Sequence, residues 1–153
     1  MKDVFVEDFE SEPFTAAFRV YFGEIGTSPR NWERLFRQMN AERDTTRAIM
    51  RFDGNAVIGF VMFCRIELSC AFFSETFGYI RELWVDVPYR RAGHGHHLLA
   101  VAEEYLAEQG VLQIALCSTP GSETFYQKQG YAVSDVLCSE GKRVFTKRTM
   151  RHE

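Results

Sequence analysis

The sequence predicts one domain, residues 1–153, of the mixed α/β class, in which helices flank a sheet of antiparallel and parallel strands. A chain of 153 residues is long enough for one hydrophobic core and too short for two independent ones. Its 46% apolar and 25% charged residues are ordinary for a globular domain. Strand-like and helix-like segments alternate along the chain without a repeat, a linker or a low-complexity segment between them.

The first half of the chain contains strand-like and helix-like segments separated by clear turn signals. Apolar residues recur at helical spacing in the second predicted helix, for which Ser28 supplies an N-cap and Pro29 a first turn. Asp53-Gly54-Asn55 is typical of a β-hairpin turn. The predicted segments are the strand Val4–Val6, the helices Phe14–Phe22 and Asn31–Glu42, and the strands Thr45–Phe52 and Ala56–Ser69.

The second half continues the alternation. We expect a polar break over Ser74–Gly78, followed by a strand that Pro88 ends. Gly110 and Gly130 end the two later helices, because glycine readily adopts the left-handed conformation of a helix end. The predicted segments are the strand Tyr79–Val87, the helix His94–Gln109, the strand Leu112–Cys117, the helix Glu123–Gln129, and the strands Tyr131–Leu137 and Arg143–Met150.

The charge balance makes nucleic acid a poor partner. The chain has 18 basic and 21 acidic side chains and a net charge of −3, which leaves no basic footprint for a phosphate backbone. The N-terminal segment is acidic and the longest apolar runs have strand length, so we expect a cytoplasmic protein that neither enters the secretory route nor crosses a membrane. Cys64, Cys70 and Cys117 lie in apolar runs and are predicted to be buried free thiols.

The segment Tyr79–Leu99 carries the strongest chemical signal. It reads as a strand, then a turn with two arginines and two glycines, then a helix. Glycines let backbone N–H groups approach a ligand, a helix N-terminus attracts anions, and arginines add charge-assisted donors. The dinucleotide fingerprint and the Walker pattern are both absent from this segment. From the residues alone, a phosphate-binding turn and a purely structural turn are equally good interpretations.

The histidines at the start of this helix do not predict a metal site. Neighbouring residues at a helix start point in different directions, and no acid or cysteine at helical spacing completes a ligand set around His94, His96 and His97. We expect no metal, and we interpret these side chains as a polar rim for phosphates.

Two segments match the signatures of a known family. Arg90-Arg91-Ala92-Gly93-His94-Gly95 fits the pattern Arg/Gln-x-x-Gly-x-Gly/Ala, and Leu83–Pro88 before it is similar to a family strand. Phe125–Tyr131 fits a second hallmark, an aromatic-Tyr pair followed by a helix end and a Gly-aromatic pair. The chain thus resembles the GCN5-related N-acetyltransferases, from Phe14 to Met150. The resemblance implies an acyl-CoA N-acyltransferase fold with a splayed central sheet, and transfer of an acetyl group from acetyl-CoA to a primary amine.

The resemblance also implies how acetyl-CoA is bound. Backbone groups of Leu83 and Val85 would pair with the pantetheine arm, and N–H groups from Arg91 to His96 would hold the pyrophosphate. Arg90 would brace the turn or touch a phosphate, and Thr119 stands where relatives often have an asparagine. The implied binding residues are Leu83, Trp84, Val85, Arg90, Arg91, Ala92, Gly93, His94, Gly95, His96, Thr119 and Tyr126.

Two residues are implied in the chemistry. Tyr126 matches the family tyrosine that protonates the departing thiolate of CoA, and Glu82 is the candidate base that takes a proton from the amine. Strand alternation places Glu82 on one face with Ile80 and Trp84. Without the resemblance, Tyr126 reads as a half-buried aromatic residue, and Glu82 reads equally well as an outward side chain paired with a lysine or arginine.

The acceptor and the assembly stay open at this level. A small-molecule or peptide amine would be bounded by an aromatic wall, with Glu24 and Glu75 available to attract a cation. The residues of this wall are Tyr21, Phe22, Phe72, Phe73 and Phe77. Relatives are often dimers, which makes a homodimer an alternative to a monomer. The alternative functions are a non-catalytic acyl-CoA-binding domain and another nucleotide- or phosphate-binding protein.

Overall fold

The computed structural model describes residues 1–69, 74–137 and 142–149. Its helices are α1 (Phe14–Ile25), α2 (Trp32–Ala41), α3 (His94–Glu108) and α4 (Glu123–Lys128). Its strands are β1 (Lys2–Phe5), β2 (Thr46–Asp53), β3 (Ala56–Ser69), β4 (Ser74–Val85), β5 (Gln113–Ser118), β6 (Ala132–Leu137) and β7 (Arg143–Arg148). Short 3₁₀ turns at Val87–Tyr89 and Pro120–Ser122 precede α3 and α4.

The described strands form a seven-stranded sheet in the order β1-β2-β3-β4-β5-β7-β6. β1 runs antiparallel to β2, with Lys2 opposite Phe52, whereas β4 runs parallel to β5, with Phe77 opposite Gln113. β7 is antiparallel to both β5 and β6. The predicted mixed α/β class is therefore confirmed.

The predicted break at Ser74–Gly78 is wrong, because β4 begins at Ser74. Gly78 is buried within the strand, and a Cβ atom there would lie 2.8 Å from Leu106 Cδ1 and 3.2 Å from Ile114 Cγ1. The glycine therefore allows Leu106 of α3 to pack closely against β4. Glycine in a strand marks such a close approach as readily as it marks a turn.

The start of α2 also differs from the prediction. Asn31, not Ser28, is the N-cap: its backbone is extended, and its Oδ1 accepts a hydrogen bond of 3.0 Å from Arg34 N. Serine and asparagine both favour this position, and the hydrogen bond identifies Asn31 as the cap. The apolar face of α2 buries Phe36 and Met39, as its spacing predicts.

The chain divides into two compact units. Unit 1 comprises Met1–Met62 and Glu82–Leu98, and unit 2 comprises Phe63–Arg81 and Leu99–Glu153. β3, β4 and α3 each contribute residues to both units. That residues 1–153 form a single domain stays a prediction.

Each unit has its own apolar centre. In unit 1, phenylalanines of α1, α2 and β3 pack ring against ring, with centroids of Phe14 and Phe60 5.7 Å apart and those of Phe18 and Phe36 5.9 Å apart. In unit 2 the largest fully buried side chains come from α3, β5 and β7, together with Phe63 of β3. They include Leu99, Leu106, Ile114, Leu116 and Phe145.

Two cysteines of the described residues can be compared with the prediction. Cys64 is a free thiol, and burial raises its pKa, an effect that the Arg81 charge partly offsets. Cys117 is disulfide-bonded, so the prediction of a free thiol is wrong there, because spacing along the chain does not reveal which cysteines meet in space. Cys70 lies outside the described residues.

Within residues 1–69, 74–137 and 142–149, no helix is both long enough and apolar enough to span a lipid bilayer.

Candidate active site

Glu82 is held by a tyrosine of α1. Its Oε2 accepts a hydrogen bond from the Tyr21 hydroxyl. The ring of Tyr21 is fixed by edge-on contacts with Phe18, Phe22 and Phe60, at centroid distances of 6.0, 5.9 and 5.6 Å. The hydroxyl that reaches Glu82 is therefore carried by a ring with little freedom to turn.

Glu24 joins α1 to the end of β4 and to the turn that follows. Its Oε2 accepts a hydrogen bond of 2.6 Å from Arg90 Nη2 and one of 3.2 Å from Trp84 Nε1. Trp84 is 5% exposed, and this bond satisfies the polar atom of its otherwise apolar ring. Glu24 thus contacts two groups of the chain itself, and its attraction for an acceptor cation stays a prediction.

The turn between β4 and α3 is braced by Arg90. Its Nε donates a hydrogen bond of 2.8 Å to the Val85 carbonyl, while Nη2 of the same guanidinium holds Glu24. The guanidinium therefore fixes the geometry of the turn from two sides. Of the two roles expected for Arg90, the structure shows the bracing contacts.

The backbone of this turn has two left-handed residues. Arg91 has φ +65° and Gly93 has φ +86°, and Arg91, Ala92 and Gly93 are all exposed. An arginine with positive φ is uncommon, and such conformations cluster where backbone amides are aimed at a ligand. A Cβ atom at Gly93 would meet no atom within 4 Å, so space is open beside the turn.

α3 begins directly after the turn. His97 N donates to the Gly93 carbonyl at 3.0 Å, which closes the first turn of the helix. The N–H groups of His94 and Gly95 precede that bond, in the first turn, where an α-helix offers its N–H groups no carbonyl four residues back. Together with the helix dipole they form a positively polarised surface that suits an anion.

Two histidines of α3 are tied to β1 and β2. His97 Nε2 lies 2.6 Å from Asp3 Oδ2, and His94 Nδ1 accepts from Arg51 Nε at 3.1 Å. Arg51 Nη1 also donates to Asp3 at 2.8 Å. Burial raises the pKa of Asp3, but the hydrogen bonds from His97 and Arg51 outweigh it and leave that pKa below 3.8. The imidazoles of His94 and His97 are thus hydrogen-bonded within this network. The described part of the chain contains no group of three metal-binding side chains.

β3 and β4 approach unusually closely beside the turn. The Trp84 carbonyl oxygen would lie 2.2 Å from a Cβ atom at position 59, and Val85 Cα would lie 3.0 Å from it. Only glycine fits at Gly59, since both neighbours are backbone atoms that cannot turn away. Asp86 N also donates to the Ile58 carbonyl at 2.8 Å, so β3 fixes where β4 ends.

The remaining candidates lie in unit 2. Tyr126, on α4, is half-buried, and its ring meets those of Phe125 and Tyr131 edge-on, at 5.1 and 5.9 Å. Thr119 is exposed and its hydroxyl donates to Ser122 Oγ at 3.3 Å. Ser118 is 2% exposed and donates to the Thr119 carbonyl, so of these two hydroxyls Thr119 is the accessible one.

The structure thus groups most of the predicted residues in unit 1, and places Thr119 and Tyr126 in unit 2. The unit 1 group comprises Glu82, Leu83, Trp84, Val85, Arg90, Arg91, Ala92, Gly93, His94, Gly95 and His96. Sequence reasoning missed what Tyr21 and Glu24 contact, and the only signal for Tyr21 was its place in an aromatic-rich helix. Phe72 and Phe73 lie outside the described residues, and Phe77 belongs to β4.

Residues 5–131 match the model of a family described as "Acetyltransferase (GNAT) family". No curated protein matches the chain. Many solved structures share its fold, and three of them serve as examples. A predicted acetyltransferase from Clostridium acetobutylicum, solved with acetyl-CoA, has 15% identity and a TM-score of 0.76 over 90% of this chain and 94% of its own.

The second is GCN5 of Tetrahymena, with 10% identity and a TM-score of 0.72 over 100% of this chain and 99% of its own. The third is the PaiA N-acetyltransferase of Thermoplasma acidophilum in complex with coenzyme A. It has 16% identity and a TM-score of 0.63 over 97% of this chain and 99% of its own. At these identities the likeness is one of fold.

Proposed function

The chain belongs to the acetyltransferase (GNAT) family, and from this premise we propose that it transfers the acetyl group of acetyl-CoA to a primary amine. The acceptor is a small-molecule or peptide amine that attacks the thioester directly while both substrates are bound. The observation that carries the proposal is the exposed turn before α3, with left-handed backbone at Arg91 and Gly93. Two of the structures with this fold were solved with acetyl-CoA or coenzyme A.

In this proposal the turn binds the pyrophosphate of acetyl-CoA. Its N–H groups from Arg91 to His96 are the donors, and the open space beside Gly93 lets the diphosphate approach the backbone. Arg90 positions the turn through Glu24 and the Val85 carbonyl. A carbonyl oxygen has two lone pairs, so the Val85 carbonyl can accept from pantetheine as well as from Arg90.

Glu82 takes the first proton. An alkyl amine has a pKa of about 10 and arrives as an ammonium ion, which cannot attack a carbonyl carbon. The Glu82 carboxylate, directly or through a water molecule, accepts that proton and later releases it to solvent. Tyr21 holds the carboxylate in one orientation through its hydrogen bond.

Tyr126 supplies the last proton. The amine nitrogen forms a bond to the acetyl carbon, the carbonyl becomes an oxyanion that backbone N–H groups stabilise, and the carbon–sulfur bond breaks. The departing thiolate takes a proton from the Tyr126 phenol. In model compounds a thiol has a pKa of about 8.5 and a phenol has a pKa of about 10. The phenolate regains its proton from the attacking nitrogen or from solvent, so the products are an amide and CoA.

The test is a screen of amines for CoA release with the wild type and with Tyr126→Phe. We expect Tyr126→Phe to lower kcat by about 100-fold or more while the Kd of CoA is unchanged, because only protonation of the leaving group is lost. Tyr105→Phe is the matched control: it removes a phenol hydroxyl from α3, beside Phe63, and should keep the rate.

Three other outcomes would contradict parts of the proposal. An unchanged rate in Tyr126→Phe removes the acid role of this residue. CoA binding without turnover on any amine identifies a non-catalytic acyl-CoA-binding domain. Failure to bind CoA at all overturns the proposal as a whole.

A further inference from the structure

α4 is too small to hold its own position. It has six residues, none of them buried, and its N-cap Ser122 makes no side-chain capping bond. An isolated helix of this length does not persist in water, because the free-energy cost of nucleation exceeds the stabilisation from so few hydrogen bonds. The orientation of Tyr126 on this helix must therefore come from contacts that other elements make with α4.

The first residue of α4 is fixed by β7. Arg143 donates two hydrogen bonds to Glu123, from Nε to Oε1 at 2.9 Å and from Nη2 to Oε2 at 2.7 Å. This two-pronged geometry fixes direction as well as distance, which a single-point ion pair does not.

The other end of α4 is fixed by the same strand. Lys147 Nζ donates a hydrogen bond of 2.8 Å to the Gln129 carbonyl, and Tyr131 N donates one of 3.1 Å to the Tyr126 carbonyl. Lys147 and Arg143 lie on the same face of β7, because they are separated by an even number of residues. β7 thus contacts α4 at both ends.

A half-buried network of hydrogen bonds supports the contact made by Lys147. The Tyr131 hydroxyl donates to Glu103 Oε2 at 2.8 Å, and Lys147 Nζ lies 3.2 Å from both carboxylate oxygens of Glu103. Tyr131 is 3% exposed. Its pKa is raised far above 10, first by burial and then by the Glu103 charge, so it stays a neutral phenol. Its ring meets that of Tyr126 edge-on, at 5.9 Å.

We propose that Glu103, Tyr131 and Lys147 are positioning residues that orient Tyr126 toward the leaving thiolate. The inference rests on the acid role that the proposed function gives to Tyr126. The three side chains come from α3, from the short connection between α4 and β6 and from β7, and they meet where α4 ends. They reach Tyr126 through the Tyr131 ring and backbone, and so act through it rather than on the substrate.

The experiment is a double-mutant cycle with Lys147→Met and Tyr126→Phe. Lys147→Met keeps the aliphatic stem and removes the ammonium group. We expect kcat to fall about 10- to 100-fold, as small misplacements of catalytic groups do, with an unchanged KM for acetyl-CoA. In the Tyr126→Phe background the same substitution should cost nothing further, because residues that act as a unit are not additive.

A second variant tests the same inference in case Lys147→Met does not fold. Glu103→Gln keeps an oxygen that accepts from Tyr131 and loses the charge that Lys147 needs, so it should fold and should lower kcat in the same direction. Glu104→Gln is the matched control, since Glu104 is an exposed carboxylate of the same helix. Equal loss in Glu103→Gln and Glu104→Gln would overturn the inference.

¹⁹F NMR of the protein labelled with 3-fluorotyrosine separates this inference from the proposed function. The Tyr126 resonance, assigned by its loss in Tyr126→Phe, should shift or broaden in Lys147→Met. An unchanged resonance, or a kcat loss that adds fully to that of Tyr126→Phe, overturns the positioning role and leaves the acetyltransferase proposal standing. If no amine is acetylated, the proposed function fails, and a shifted resonance still supports the positioning of Tyr126.

Discussion

Glu82 and Tyr21 meet although 61 positions separate them in the chain. The phenol donates to the carboxyl group, and the ring packing of α1 sets the direction of the bond. In the proposed reaction this keeps a carboxylate ready to receive an ammonium proton. A single aromatic residue of α1 therefore contributes to chemistry that belongs to β4.

Glu82→Gln should lower kcat/KM most at neutral pH. The amide cannot accept the ammonium proton, so the variant depends on the small fraction of amine that is already neutral. That fraction rises tenfold per pH unit up to the amine pKa of about 10, and the loss relative to wild type should shrink as the pH rises. Steady-state rates from pH 7 to pH 10 test this. A loss of constant size across the range would contradict a base role.

Neighbouring elements hold the backbone of the candidate site in place. β3 determines where β4 ends, through Gly59 under the Trp84 carbonyl and through the Ile58 carbonyl bound to Asp86 N. The first residues of α3 are tied to β1 and β2 through Asp3 and Arg51. The turn between β4 and α3 is thus held at both of its ends.

Gly59→Ala should move β4 at Trp84 and Val85. The new methyl group would meet a backbone oxygen at 2.2 Å, and backbone cannot yield as the end of a side chain can. We expect a loss of stability of about 1–3 kcal/mol, as for overpacked cores, together with a raised Kd for CoA. Gly23→Ala is the control, since nothing lies within 4 Å of its Cβ position. Urea unfolding and calorimetry with CoA measure both effects, and wild-type affinity in Gly59→Ala would count against the placement of pantetheine beside β4.

Asp3→Asn should reduce stability in a pH-dependent way. The folded-state pKa of Asp3 lies below its ordinary value of 3.8, so its contribution is fully present well above pH 3.8 and disappears as the pH falls through the lowered pKa. Because the His97 side chain is 40% exposed, we expect no more than about 1 kcal/mol. Urea unfolding at pH 5 should show the difference, and at pH 3 the difference should be smaller. A difference that grows at pH 3 would contradict the assigned network.

The sequence predicted the order of the elements because apolar periodicity and turn residues are local signals. It failed at Ser74–Gly78, where the polar run begins β4, and at Ser28, because the cap is Asn31, three positions later. The candidate turn could be recognised from its glycines and arginines. The partners of Glu24, Glu82 and Lys147 could not be recognised, because a sequence pattern indicates on which face of an element a side chain lies but not which residue it contacts.

For the whole molecule, the family match spans residues of both compact units, and the proposed roles are likewise divided between them. Glu82 and the turn proposed to bind phosphate belong to unit 1, whereas Tyr126 and the residues proposed to position it belong to unit 2. Because ligand binding is linked to folding, stability measured on the intact chain reports which ligand the protein takes.

Acetyl-CoA should stabilise the protein more than ATP or NAD at equal concentration. At 100 times Kd the gain is about 2.7 kcal/mol, and for a chain of this size each 1 kcal/mol raises Tm by about 2–4 °C. Thermal unfolding with each ligand in turn measures the ranking. Equal stabilisation by ATP or NAD would instead favour a general nucleotide-binding protein.

The location of the tryptophans has a practical consequence for unfolding experiments. Both tryptophans of the chain, Trp32 and Trp84, belong to unit 1, where their rings lie 5.7 Å from Phe36 and 5.5 Å from Phe60, respectively. Indole fluorescence of the intact chain therefore originates from this unit alone. If the indole emission maximum shifts to longer wavelength before the far-UV circular dichroism signal is lost, that shift reports the opening of unit 1 without an attached dye.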